Sequence, residues 1–242
     1  MSWDYAAILV LLGIVVPLLG RRRVRVLLRR RQTSKPERLR LYSSTITSQC
    51  AIATLVLWRA IAHGMTFGDL GLAVPRPLLT VLMSAVFSFL MLGNQVLSIR
   101  MIAKKPEESA GAMARLALRI FPQDPTERTA FFFVVVTVAI CEELIYRGFL
   151  QRLFIQLSNG TVAVGVITAS AFFSIAHLYQ GKRGMVTTYV VGVLFSIIRA
   201  WTGSQIPGIV THFVADLTAG FLLPLKMTAI TIGQQTSNDA DV

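Results

Sequence analysis

The sequence predicts an all-α integral membrane protein, a bundle of about seven and at most eight transmembrane helices, and three observations predict it. Mean hydropathy is +0.62. Only 15% of the 242 residues are charged and 54% are hydrophobic, whereas a soluble domain usually carries about 25% charged residues. Apolar stretches of the length that crosses a bilayer core, ~20 residues, recur along the chain. This composition excludes disorder, collagen-like repeats and a water-soluble enzyme. It leaves no room for a separate soluble domain, so residues 1–242 read as a single integral membrane domain that ends in a polar tail over 233–242.

The first apolar stretch, 6–19, is preceded by Asp4 and by no Lys or Arg. A secretory signal carries positive charge ahead of its apolar core, so this stretch reads as a retained span with the N-terminus outside. Further spans are predicted over 46–62, 78–99, 129–150, 161–177, 185–200 and 206–225. Alternating them from an outside N-terminus puts 19 of the 24 Lys and Arg residues on the inner side, ten of them between Arg21 and Arg40. The other five, Arg59, Arg76, Arg147, Arg152 and Arg199, fall within spans or toward the outside. The positive-inside rule supports this orientation.

The formal charge of +12 therefore points to anionic lipid headgroups near Arg21–Arg40 rather than to nucleic acid. Residues 107–121 place Met113, Leu116, Ala117, Ile120 and Phe121 at helical spacing, as in an amphipathic helix lying on the inner surface and closed by Pro122 and Pro125. Cys50 and Cys141 are too few for a disulfide framework and read as small buried residues. His63 and Trp201, at span ends, read as interface anchors. The glycines at 165, 192 and 220 read as sites of close helix packing.

Six ionisable residues remain inside apolar spans: Glu142, Glu143, Arg147, His177, His212 and Asp216. A charge at the centre of a membrane helix costs about 2.5 to 3.5 kcal/mol, so the six are expected to converge on a polar interior. Glu143 and Arg147 lie at i and i+4 and can pair. Glu142 projects about 100° away and lacks such a partner, which suits a general base; a purely structural ion-pair network fits the same fragment. His177 follows Phe173 by one turn and is compatible with packing or with catalysis. Asp216 follows His212 by one turn and can fix its tautomer, or the two can serve as polar glue between helices. At ~1.5 Å per residue, Glu142 and His212 lie about 20 Å from the inner ends of their spans, whereas His177 lies close to the inner end of its own. An offset or broken span, or a place at a cavity mouth, would account for that difference.

Together Glu-Glu-x-x-x-Arg, Phe-x-x-x-His and His-x-x-x-Asp, in this order on three spans, resemble the CPBP family of intramembrane proteases, which includes CAAX prenyl endopeptidases and bacteriocin-processing or immunity proteins. The likeness covers roughly residues 129–220 and implies a protease core over about 129–225. It implies that Glu142 activates water for attack on a peptide carbonyl, that Glu143 and Arg147 support it, and that His177, His212 and Asp216 complete the site. The family carries Asn or Asp at the third motif's last position, and an ionised Asp216 accepts where an amide donates. Zinc is the cofactor to consider, held by Glu142, His177 and His212 if present, although the His-Glu-x-x-His motif is absent; the balance favours a metal-independent glutamate. The expected partners are a peptide or lipid-modified protein substrate and the lipid bilayer, with the cell membrane as location. An ion- or proton-coupled transporter, or a catalytically silent scaffold of the same fold, are the alternatives.

The charge distribution generates a topological prediction. In intact cells, an Arg30→Cys variant should resist a membrane-impermeant thiol reagent applied from outside and react only after permeabilisation. Labelling from outside would reverse the orientation.

Overall fold

The computed structural model describes residues 2–30, 33–104, 116–117 and 119–221. Seven helices carry the fold, and no strand occurs among the described residues. They are α1 (Trp3–Arg29), α2 (Lys35–Ala62), α3 (Pro77–Lys104), α4 (Pro125–Leu157), α5 (Val162–Ala176), α6 (Gly181–Thr202) and α7 (Ile206–Phe221). They correspond one to one with the seven apolar stretches of the sequence. Five, namely α1, α2, α3, α4 and the α6 segment, are long and apolar enough to cross a membrane, and α5 and α7 are shorter. The inner-surface helix expected over 107–121 lies outside the described residues except for 116–117 and 119–121, and the tail at 233–242 lies outside them altogether.

Two helices start well before their apolar stretch because their first turns are capped. Ser34 and Glu37 form a reciprocal capping box ahead of α2. Asp124 accepts from the Glu127 amide at the start of α4; that amide, and then Lys35, hold the Asp124 carboxyl below its ordinary range. Glu127 itself is fully buried and pairs with buried Arg38, with N···O distances of 2.8 and 2.9 Å. This ion pair fixes the entry of α2 against the entry of α4.

The core is built where α1, α2, α4 and α5 meet, around Ile8, Leu12, Val56, Ile145, Phe149 and Phe173. At the far end of α1, Asp4 pairs with Arg59 and accepts from or pairs with His63 at 2.8 Å, and the His63 ring lies 4.5 Å from that of Tyr5. His63 is therefore part of a polar clamp between α1 and α2 rather than a simple interface anchor. The loop after α2 folds back over the bundle with Leu70 buried. There the Gln205 backbone amide donates to Gly71 O at 2.8 Å, and Arg199 donates to Asp69 O at 2.6 Å. Gly71 has φ +71°, which a side chain would strain. The helix α3 runs along one edge, tied by Arg76 to Trp201 O at 2.7 Å and by Gln95 to Ala215 O at 3.4 Å.

Unequal helix lengths resolve the depth mismatch seen in the sequence. The 33 residues of α4 rise ~50 Å and the 15 of α5 only ~22 Å, against a bilayer core of about 30 Å. Depth counted from the first apolar residue of α4 therefore has no fixed relation to depth counted along α5. The short helix ends beside the middle of the long one, with the Phe173 ring 5.1 Å from that of Tyr146.

Removing one member of the Arg38–Glu127 pair leaves the other buried and uncompensated, at a cost of about 3 to 5 kcal/mol. Glu127→Ala should lower the thermal midpoint in detergent sharply, and the double substitution Arg38→Met, Glu127→Leu should restore most of it.

Candidate active site

The acidic pair sits where α4 changes its winding. Residues Leu144–Leu150 form a π-helical segment immediately after Glu142 and Glu143, a feature frequent at functional sites, although Leu11–Val15 of α1 is wound the same way. Glu143 still reaches Arg147, with NH1 to Oε1 at 2.9 Å, and both side chains are almost completely buried. The guanidinium lies 4.1 Å from the centre of the Phe173 ring and 5.3 Å from that of Phe195, so α5 and α6 hold it in place through their aromatic faces.

A second helix reaches the same carboxylate. His212 of α7 donates through Nδ1 to Glu143 Oε1 at 3.1 Å. The approach is close because residue 208 is glycine: a Cβ there would lie 2.7 Å from Glu143 Oε2. The i+4 partner expected for this ring, Asp216, stands 3.6 Å from Nε2, beyond a hydrogen bond. The tautomer is thus set by Glu143 from another helix, which corrects the sequence expectation. The remaining ring nitrogen faces both Asp216 and Glu142, whose Oε2 is 3.9 Å away.

Glu142 is held from outside this group. Gln49 of α2 donates through Nε2 to Glu142 Oε1 at 2.8 Å, and Glu142 Oε2 is buried with no hydrogen-bond partner among the described residues. Sequence reasoning missed Gln49. A neutral amide within an apolar span draws no attention as an ionisable group would, and its register against α4 is visible only in the fold. His177 caps the end of α5, and its Nδ1 donates to Phe173 O at 2.8 Å. It shares with Glu142, His212 and Asp216 the lining of one cavity of about 530 Å³. Leu12, Val16 and Val24 of α1 and Val135 and Val138 of α4 make that cavity predominantly apolar along its length.

All six residues predicted from the sequence therefore belong to one locality. Five of them form a chain of contacts, and His177 joins them through the cavity wall. Among the described residues no three His, Cys, Asp or Glu side chains are gathered to hold an ion, and the Nδ1 contacts of His177 and His212 leave Nε2 of each ring as the nitrogen that faces the site.

Residues 125–218 match the family model described as Rce1-like, type II CAAX prenyl endopeptidase. The match covers 94 of the 242 residues and shows the likeness of this segment to the CPBP/CAAX proteases. Its limits coincide with the first residue of α4 and the last third of α7, so the matched segment is the four-helix unit α4–α7 that carries all six site residues. The likeness supports a peptidase, and the apolar helices a multi-pass membrane protein. No curated protein and no solved structure matches the chain.

The close approach of α7 to Glu143 is testable by adding a single methyl group. Gly208→Ala should destabilise by about 1 to 3 kcal/mol through overpacking. Gly93→Ala, where a Cβ meets nothing within 4 Å, should be neutral or stabilising by up to ~1 kcal/mol. Thermal unfolding of the two variants in the same detergent makes the comparison.

Proposed function

We propose that the protein is an intramembrane endopeptidase in which Glu142 acts directly on water. One observation carries this reading: of two adjacent carboxylates, Glu143 is tied through Oε1 to both Arg147 and His212, whereas Glu142, which lines the cavity, meets neither at hydrogen-bond distance, is oriented through Oε1 by Gln49 and keeps Oε2 without a partner among the described residues. A base needs that combination of fixed geometry and an available lone pair.

In this mechanism Glu142 Oε2 takes a proton from a water molecule as the water oxygen bonds to the peptide carbonyl carbon. The C–N bond then breaks, and the proton passes from Glu142 to the departing nitrogen by way of His212 Nε2. Glu143 orients that ring by accepting from Nδ1. His177, at the end of α5, lines the cavity beside the reacting groups, and Asp216 polarises His212 from the side away from Glu143. No step is routed through a metal.

The substrate is a peptide or lipid-modified protein that enters from the bilayer. A long aliphatic cavity wall favours a chain carrying a hydrocarbon group over a free hydrophilic peptide, and the family's prenylated substrates have that chemistry. The reading assigns the protein to the cell membrane, with the arginine-rich end of α1 and α2 against the anionic headgroups of the inner leaflet.

Two predictions follow from the roles assigned. Loss of a general base typically costs ~10² to 10⁴ in rate, so Glu142→Gln should lose activity at that scale while its melting temperature stays near that of the parent. Glu143→Gln should lose stability as well, because Arg147 is left buried without its counter-charge. Gln49→Leu should lower kcat about 10- to 100-fold, the worth of a hydrogen bond to a charged group. Full activity in Glu142→Gln would remove it from the mechanism. The second concerns metal: activity should survive prolonged chelation, because direct water activation needs no ion. Loss on chelation with recovery on adding zinc, and loss of bound zinc in His177→Ala and His212→Ala, would make the histidines ligands instead.

A further inference from the structure

We propose that the groove between the arginine-rich ends of α1 and α2 is a binding site for one anionic phospholipid, at the mouth of the catalytic cavity. The groove has a volume of about 820 Å³. Leu19, Arg22, Arg23, Val26 and Leu27 line it from one face of α1, at spacings of three, one, three and one residues, and Arg30 lines it from just past the end of that helix. Across from them α2 contributes Glu37, Arg40, Leu41 and Ser44, again one face.

Charge is unbalanced there. Four arginines face a single glutamate, and Glu37 is already spent on Arg30. Arg23 donates only to neutral oxygens, Leu41 O and Ser44 Oγ. Arg40 reaches only Pro36 O, at 3.4 Å, and Arg22 has no partner among the described residues. Three uncompensated guanidinium groups around one groove repel one another unless an anion lies between them, and guanidinium forks match phosphate oxygens.

The order of residues along α1 favours a lipid over a soluble anion or an acidic protein segment. Leu19 lies on the side of the apolar span, and Arg22 and Arg23 follow it by one turn. An amphiphile fits this order with its acyl chain along Leu19, toward the apolar span, and its phosphate among Arg22, Arg23 and Arg40. Arg23, Leu27 and Leu41 also line the catalytic cavity, so the lipid occupies the rim past which a substrate enters. Because the site is defined by charge and membrane insertion alone, it stands apart from the role given to Glu142.

The test uses full-length protein purified in a neutral detergent, titrated with phosphatidylglycerol, phosphatidylcholine or inorganic phosphate, with retained lipid read by native mass spectrometry and stability by thermal unfolding. Phosphatidylglycerol should be retained at one molecule per chain and raise the melting temperature. The double variant Arg22→Gln, Arg40→Gln should weaken retention about thirty-fold, from roughly a tenfold loss per 1.4 kcal/mol and about 1 kcal/mol for each basic residue at an anionic lipid. The double variant Arg21→Gln, Arg25→Gln removes the same charge from the same helix outside the groove and should bind as the parent does. Equal loss in both variants would mean diffuse attraction and overturn the proposal. So would equal retention of phosphatidylcholine, or stabilisation by inorganic phosphate alone. An Arg22→Lys, Arg40→Lys variant, which keeps the charge, guards against misreading a folding defect: it should recover most of the binding.

Discussion

Burying an ionised carboxylate among apolar helices is the constraint from which the centre of this bundle is built. Taking a charge out of water costs several kcal/mol even after the protein relaxes, and Glu143 is 1% exposed with Arg147 fully enclosed beside it. The pair is tolerable because three further helices contribute to it. Arg147 comes from the π-helical part of α4, the Phe173 and Phe195 faces from α5 and α6, and His212 from α7. One electrostatic requirement thus fixes the mutual placement of four helices, and those four are the segment that matches the CAAX protease family.

The same arrangement separates two chemically identical neighbours. Successive residues on a helix point about 100° apart, so the side chain that satisfies Arg147 cannot be the one that faces α2. Glu142 meets Gln49 instead, on a helix outside the family match, and the aliphatic wall that leads to it is drawn from α1 and α2 as well as from α4. The family segment supplies the ionisable groups. The N-terminal helices supply the surface that orients the base and shapes the approach to it.

Much of this was legible in the sequence, for identifiable reasons. Hydropathy located all seven helices, because a bilayer demands apolar stretches wherever the chain crosses it. The convergence of the six ionisable residues followed from the cost of leaving any of them against lipid, and the Glu143–Arg147 pair followed from helical spacing. Helix starts at Lys35 and Pro125 were not legible from hydropathy, since capping by Ser34 and Asp124 extends each helix into polar sequence. Long-range pairings were hidden for another reason. His212 was expected to take its orientation from Asp216 on its own helix, but Gly208 admits Glu143 closer than Asp216 stands. Gln49 and the Asp4–His63 contact likewise depend on register between helices, which local periodicity does not encode.

The central claim is that a free Glu142 oxygen acts on water, not on the substrate itself. It is tested most directly by a single turnover of peptide cleavage in ¹⁸O-labelled water, with both the product and the enzyme analysed by mass spectrometry. Direct activation of water predicts one ¹⁸O atom in the new C-terminal carboxylate of the product and none in the enzyme peptide containing Glu142. An unlabelled product together with ¹⁸O incorporated into Glu142 would show a covalent acyl intermediate on that carboxylate and contradict the account.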